Sequence, residues 1–180
     1  DGATLLFTRF DDTQRPDSLW RLWVAFAEHA PMQTPILVLR EADPEFWVGV
    51  GKMRSKAWLI IESGSKDTTE VLALPADQPE TPLVCLHARE PGVEVSIDHR
   101  PGVFYRLHNQ TGPHFQLDMR AESDNASWQP LIAHRDDATL EGVDAFEWGL
   151  ILAERSHQDA QVLLRRLELD SHHQTLLDSY

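Results

Sequence analysis

Three stretches of sequence decide the fold: AWLIIES at 57–63, VFYRLHN at 103–109 and GLILAER at 149–155. They align at two steps of 46 residues, and around each of them the order is strand, tight turn, strand, longer turn, strand, loop and strand. A four-strand repeat of this length is typical of a β-propeller blade, for which about 40–50 residues are usual. The sequence therefore predicts an all-β fold, a partial β-propeller of four-stranded antiparallel blades. A Greek-key sandwich is disfavoured because it would show no fixed period.

The repeat also gives the blade limits. We predict a partial blade at 1–40 and whole blades at 45–88, 92–133 and 138–179, about three and a half in all. The partial blade supplies three strands, and its innermost strand is expected before Asp1, so the chain is expected to be part of a longer protein. The strands alternate as half-buried strands do: in 92–98, Val93, Val95 and Ile97 face one way while Glu94, Ser96 and Asp98 face the other.

Two segments fit a helix as well as a strand. In 18–26, Leu19, Leu22, Trp23 and Phe26 stand at helical spacing, whereas Trp20, Leu22, Val24 and Phe26 satisfy a period of two. Segment 160–169 is ambiguous in the same way. The strand interpretation is favoured for both segments because their neighbours are strands.

Composition excludes several classes of function. Lys and Arg number 16 against 29 Asp and Glu, which gives a net charge of −13. This balance argues against nucleic acid and against anionic membrane surfaces as partners, since both require basic patches. No apolar run approaches the ~18–20 residues that span a bilayer. Cys85 is the only cysteine, so an internal disulfide is excluded and a reducing, cytoplasmic location is expected.

No motif of the sequence indicates catalysis, a metal or a cofactor. A Gly-x-Ser-x-Gly nucleophile elbow is absent, and the nine histidines show no ligand spacing. Cys85 lies in the apolar strand 82–88 and is expected to be a small core residue. We predict no catalytic residue, no metal site and no cofactor within this chain.

Acidic residues on the first strands of two blades are the remaining candidates for function. The innermost strands of a propeller line its central channel, and a negative lining would attract cationic ligands. Simple solvation of these carboxylates is the alternative explanation. The candidate channel-lining residues are Glu94, Asp98, Glu141 and Asp144.

Several runs resemble one family of peptidase propellers. They are GVEVSIDHR at 92–100, FYRLHN at 104–109, FQL at 115–117, LEG at 140–142 followed by Phe146 and Trp148, AER at 153–155, TLLFTR at 4–9 with Trp20-Arg21, and FWVGV at 46–50. In order and spacing they resemble the propeller of the oligopeptidase B (protease II) family, which belongs to the prolyl oligopeptidase group of serine peptidases. The resemblance covers nearly the whole chain.

The resemblance implies a two-domain parent enzyme. A catalytic α/β-hydrolase domain with a Ser-Asp-His triad would lie in the same polypeptide, covered by a seven-bladed propeller that restricts access of large proteins. The parent would cleave short peptides after Arg or Lys, so short basic peptides are the expected substrates. This chain would be the middle of that propeller, without catalytic residues, and inactive by itself.

Other functions stay open at this stage. A stand-alone β-propeller could serve as a protein-interaction module without enzymatic activity, although the Gly-His and Trp-Asp signatures of common interaction propellers are absent. A lectin-like β-rich binding module is a third possibility. For any partial propeller, the uncovered faces of the end blades are expected to drive self-association of the isolated chain.

Overall fold

A computed structural model describes residues 2–25, 33–123, 126–168 and 173–179. Within these ranges every regular element is a β-strand, and the strands form four antiparallel sheets. The described part of the chain therefore contains no helix long and apolar enough to cross a membrane. The all-β fold class, a partial β-propeller, is confirmed.

Each sheet is built from consecutive strands. The first contains β1 (Gly2–Phe10), β2 (Pro16–Ala25) and β3 (Ile36–Arg40). The second contains β4 (Trp47–Lys52), β5 (Trp58–Gly64), β6 (Thr69–Pro75) and β7 (Val84–His87). The third contains β8 (Val95–Arg100), β9 (Val103–His108), β10 (Gln116–Ala121) and β11 (Gln129–Ile132), and the fourth contains β12 (Ala138–Phe146), β13 (Gly149–Ser156), β14 (Val162–Glu168) and β15 (His173–Ser179).

The two ambiguous segments are strands in the structure. In β2, Leu22 pairs with Leu5 and Trp20 pairs with Phe7 of β1, so the period-two pattern is satisfied by a neighbouring strand. β14 pairs with strands on both of its sides. The last residues of the two predicted segments, Phe26 and Leu169, lie outside the described residues.

Two details of the sequence interpretation are wrong. β8 begins at Val95, so Glu94 precedes the first strand of its sheet and does not lie on it. The chain turns at Gly92, whose φ is +77°, and the side chain of Asn109 accepts the Glu94 N–H at 2.8 Å. Cys85 is exposed and is not a core residue, because β7 is an edge strand with its first two residues turned to solvent.

The chain divides into two compact units, each with its own apolar core. The first unit comprises residues 1–52 and 59–91, and the second comprises 53–58 and 92–180. Leu19, Val48, Ile61 and Leu74 form the buried core of the first unit. The buried core cluster of the second unit consists of Tyr105, Leu107, Leu117, Leu140, Ala145, Leu150, Leu152 and Leu167.

A β-bulge in β12 changes which side chains face the core of the second unit. The pairing of β12 with β13 shifts register between Leu140 and Gly142, so Glu141 is the extra residue. Leu140 is buried before the bulge and Ala145 is buried after it, whereas Asp144 is exposed. The buried positions therefore change from even to odd numbers, and the Asp144 carboxylate points to solvent.

Candidate functional site

A cavity of about 310 Å³ lies in the second unit and is lined by residues 54–56, 99–101 and 145–147. These three segments stand at or beside the turn between the first and second strand of successive sheets, and they recur with nearly the 46-residue period. Turns that recur at a fixed spacing in the sequence therefore lie close together in the structure. We treat this cavity as the candidate functional site.

Local hydrogen bonds shape the turn 53–58 at the edge of the cavity. The Met53 N–H donates to the Trp58 carbonyl at 3.0 Å, and the Lys56 N–H donates to the Met53 carbonyl at 2.9 Å. Lys56 has a φ of +63°, a left-handed conformation that closes the turn. At the corresponding turn after β8, Gly102 with a φ of +86° supplies the same backbone freedom without steric cost.

Two aspartates, which are not among the lining residues, converge on the guanidinium of Arg54 beside the cavity. Asp144 forms a hydrogen-bonded ion pair with Arg54 Nη2, and Asp98 Oδ2 lies 3.8 Å from Arg54 Nε. The Arg54 guanidinium carbon lies 4.7 Å from the centre of the Phe146 ring, within the range of a cation–π contact. The arrangement thus holds one cation between two carboxylates and an aromatic face.

A buried histidine of β8, His99, holds the turn 53–58 through its contact with Ser55. The His99 ring is fully buried, with Nδ1 2.8 Å from Ser55 Oγ and Nε2 3.4 Å from Glu122 Oε2. Because a carboxylate only accepts, Nε2 carries the proton and Nδ1 accepts the Ser55 hydroxyl. Trp58 Nε1–H also donates to Glu122, at 2.9 Å. These contacts connect Ser55 and Trp58 of the turn to His99 on β8 and to Glu122, which directly follows β10.

Burial lowers the pKa of His99, although the charge of Glu122 acts in the opposite direction. The imidazole is therefore neutral at physiological pH. The order serine, histidine, carboxylate is also that of a catalytic triad, but the Ser55 oxygen already accepts the Ala57 N–H at 3.3 Å. We therefore assign Ser55, His99 and Glu122 to positioning of the turn.

The structure places the four predicted acidic residues in three different environments. Asp98 and Asp144, which are 46 residues apart, meet at Arg54. Glu141, at the bulge, forms an ion pair with Arg155 in which Nε and Oε1 are 2.5 Å apart. Glu94 lies beside Asn109. Three of the four carboxylates are thus paired with arginines, and a channel-lining role for all four stays a prediction.

The sequence interpretation assigned no functional role to Arg54, Phe146, His99, Ser55 or Glu122. A signal was available for Arg54 and Phe146, because both lie at turns between the first and second strands of the repeat. No comparable signal exists for the hydrogen bonds of His99, because they depend on side-chain packing within the unit.

Three histidines that show no ligand spacing in the sequence lie together elsewhere in the second unit. The ring of His114 lies 4.3 Å from that of His157 and 5.4 Å from that of His134, measured between ring centres. Thr139 Oγ1 bridges His114 Nδ1 and His157 Nε2 at 3.0 and 2.8 Å. Among the described residues, no group of histidine, cysteine or acidic side chains is arranged to hold a metal ion.

Residues 1–178 match the family model described as prolyl oligopeptidase, N-terminal beta-propeller domain. Protease 2 of Moraxella lacunata is 25% identical over 161 residues, which cover 89% of this chain and 23% of that protein. Dipeptidyl aminopeptidase BI of Pseudoxanthomonas mexicana is 30% identical over 161 residues, covering 87% of this chain and 22% of that protein.

A solved structure shows the same fold. Oligopeptidase B from Trypanosoma brucei, in a closed form with covalently bound antipain, superposes with a TM-score of 0.81 at 23% identity. The match covers 97% of this chain and 25% of that one. The chain therefore spans about a quarter of the length of the relatives it matches.

Proposed function

Because the chain belongs to the family of prolyl oligopeptidase N-terminal β-propeller domains, we propose that it is a non-catalytic propeller segment that controls access of peptides to a serine oligopeptidase active site. The match to the propeller family over residues 1–178 is the observation that carries this proposal. It is supported by the peptidase names of the relatives. The catalytic α/β-hydrolase domain belongs to the same, longer polypeptide.

The substrates of that parent enzyme are short peptides cleaved after Arg or Lys. A net charge of −13 favours approach of cationic peptides, since a protein of one sign raises the local concentration of ligands of the other. We also expect selection by size, because an extended short peptide has a much smaller cross-section than a folded protein. We further propose a cytoplasmic location, in keeping with a single cysteine.

The test uses a fluorogenic peptide amide with one arginine before the cleavage site. The 180-residue chain is expected to give no turnover above buffer, and the longer polypeptide that includes the hydrolase domain is expected to give turnover that a serine-directed inhibitor abolishes. Inhibitor-sensitive turnover by the chain itself would refute its non-catalytic role. Absence of a hydrolase domain from the longer polypeptide would favour the interaction-module alternative.

Control of access is tested separately in the longer polypeptide. Leu152→Ala removes a fully buried side chain from the core of the second unit and should loosen the fourth sheet. We expect cleavage of an unfolded protein substrate to rise relative to cleavage of the short peptide. Leu5→Ala, at an exposed position, is the matched control and should leave this ratio unchanged. An unchanged ratio in the Leu152 variant would contradict gating by these sheets.

A further inference from the structure

The imidazole rings of His114, His134 and His157 pack against one another in the second unit, and we call these three residues the histidine cluster. His114 lies in the turn before β10, His134 lies between β11 and β12, and His157 follows β13. The cluster therefore joins the third sheet to the fourth. We propose that it is a pH-sensitive switch, which is closed when the rings are neutral and opens when they are protonated. This proposal does not depend on the proposed function.

The hydrogen bonds of His157 and His114 are satisfied when both rings are neutral. His157 Nδ1 donates to the Asp136 carbonyl at 2.8 Å, and in the neutral ring Nε2 then accepts the Thr139 hydroxyl, also at 2.8 Å. Because a hydroxyl donates only once, His114 Nδ1 donates to Thr139 Oγ1, at 3.0 Å. Protonation of His157 would make Nε2 a second donor to Thr139 and would deprive the hydroxyl hydrogen of its acceptor.

Burial opposes the protonation of His134. Its Nε2 is buried and has no hydrogen-bond partner among the described residues, and its ring packs so closely against Gly112 that no Cβ would fit there. In the cation both ring nitrogens carry protons, so this buried nitrogen would require an acceptor. The gap beside His114 measures about 10 Å³, which is at the limit of what one water molecule requires. A hydrated counter-ion therefore cannot enter while the cluster is closed.

Two charged rings of the cluster would also repel each other. The centre of the His114 ring lies 4.3 Å from that of His157 and 5.4 Å from that of His134. A like charge within about 4–6 Å disfavours the charged form of a group. Histidine side chains in general gain their charge between about pH 8 and pH 5. Since the closed cluster binds fewer protons than an open, solvated one, its stability decreases as the pH falls through this range.

The charged groups around the cluster do not offset this repulsion. Asp136 and Asp137, the acids beside His134 and His157, are 97% and 78% exposed, so water screens their attraction. The turn 109–115 before β10 contains no acidic residue. The charged groups on the other elements are the ion pairs Arg135–Asp137 (2.9 Å from Nε to Oδ1), Arg155–Glu141 (2.5 Å from Nε to Oε1) and Arg165–Glu154 (2.7 Å from Nε to Oε2), together with Asp159, which accepts the Gln161 N–H at 3.2 Å.

Opening of the cluster would release two backbone hydrogen bonds. The Leu140 N–H donates to the His114 carbonyl at 3.1 Å, and the His157 N–H donates to the Asp137 carbonyl at 3.0 Å. The first bond connects β12 to the turn before β10, and the second connects the end of β13 to the segment before β12. None of the three histidines belongs to a strand, so the ladders within each sheet can stay paired when the cluster opens.

Hydrogen exchange of the full 180-residue chain tests this switch at the amides of Leu140 and His157. Their protection, corrected for the intrinsic exchange rate, should fall about tenfold between about pH 7 and about pH 5.5, since each proton that the closed form excludes lowers its stability by up to about tenfold per pH unit. Both amides should be less protected than those of β9, because the cluster opens without unfolding of the sheet. Protection equal to that of β9 would overturn the proposal.

Variants of the cluster identify the groups that are responsible. His114→Asn keeps a donor at the position of Nδ1 and removes the central charge, so protection should fall less than about threefold over the same pH range. His134→Phe keeps the stacked ring and removes one charge, so the fall should be intermediate. His87→Gln, on β7 of the first unit, is the matched control and should retain the fall of the wild type.

Two further results would contradict the switch. One is protection at Leu140 and His157 that does not change with pH in the wild-type chain. The other is a fall in either cluster variant as large as that of the wild type, because the charge of the cluster would then have no effect on opening.

Discussion

Replacement of Asp118 by asparagine is expected to destabilise the second unit strongly at neutral pH. The side chain of Asp118 is almost fully buried on β10. It accepts hydrogen bonds from Arg106 Nη2 at 2.6 Å, from Gln116 Nε2 at 2.6 Å and from His108 Nε2 at 3.0 Å. Both oxygens of the carboxylate therefore accept hydrogen bonds, and its negative charge is paired with Arg106. Asparagine has only one acceptor oxygen and no charge.

The magnitude follows from the loss of a buried ion pair. Removal of one partner of such a pair usually costs about 3–5 kcal/mol, because the other charge loses its compensation. Asparagine keeps one acceptor, so we expect a loss near the lower limit, about 3 kcal/mol. With a urea dependence of about 2 kcal/mol per molar, the unfolding midpoint should fall by about 1.5 M.

The pH dependence provides a second check. Burial alone raises the pKa of Asp118, but hydrogen bonds from Arg106 and Gln116 and the charge of His108 outweigh it and hold the pKa below its ordinary value of 3.8. A depressed pKa stabilises the folded state above the ordinary value, and this contribution is lost as the pH falls through the folded-state pKa. The difference between wild type and variant should therefore shrink in acid.

The measurement is urea unfolding of the full chain, followed by circular dichroism at neutral pH and at several pH values below 4. Asp136→Asn is the matched control, because the side chain of Asp136 is 97% exposed, and its midpoint should equal that of the wild type. A midpoint shift of the Asp118 variant no larger than that of the control would refute the reasoning. So would a shift that is independent of pH.

Three further predictions concern packing. Gly149→Ala places a Cβ 2.3 Å from the Leu167 carbonyl oxygen and should lower the free energy of unfolding by about 1–3 kcal/mol; unchanged urea unfolding would contradict it. Leu152→Ala should cost about 2–5 kcal/mol in the same assay, and a loss below 1 kcal/mol would mean that the core collapses around the site. Leu5→Glu, on the exposed apolar face of the first sheet, should reduce concentration-dependent self-association in sedimentation velocity, and a wild-type chain that stays monomeric at high concentration would contradict this.

The repeat in the sequence was sufficient to predict most of the fold. Its 46-residue period predicted antiparallel sheets in succession, and it placed Asp98 and Asp144 at equivalent positions of two blades. The structure brings these two residues together at one guanidinium. Periodicity could predict this much because it reports which strand, and which end of that strand, a residue occupies.

Periodicity could not predict the contacts that individual side chains make. Glu94 has the alternation of a strand residue, but the positive φ of Gly92 and the side chain of Asn109 place it before the strand. Cys85 lies in an apolar run, yet its exposure depends on the edge position of β7. The repeat places Arg54 at a turn, but its pairing with two aspartates depends on how three turns pack within the second unit.

The extra residue in β12 has a consequence for how this strand tolerates change. A substitution at Glu141 keeps the count of residues and so keeps Asp144 directed at Arg54. A deletion at the same position would remove the bulge and leave the pairs Leu140–Glu154 and Gly142–Ala153 consecutive, so Ala145 would stay in the core and Asp144 would stay directed at Arg54. The strand can thus lose its residue 141, or exchange it for another, without losing the ion pair between Arg54 and Asp144.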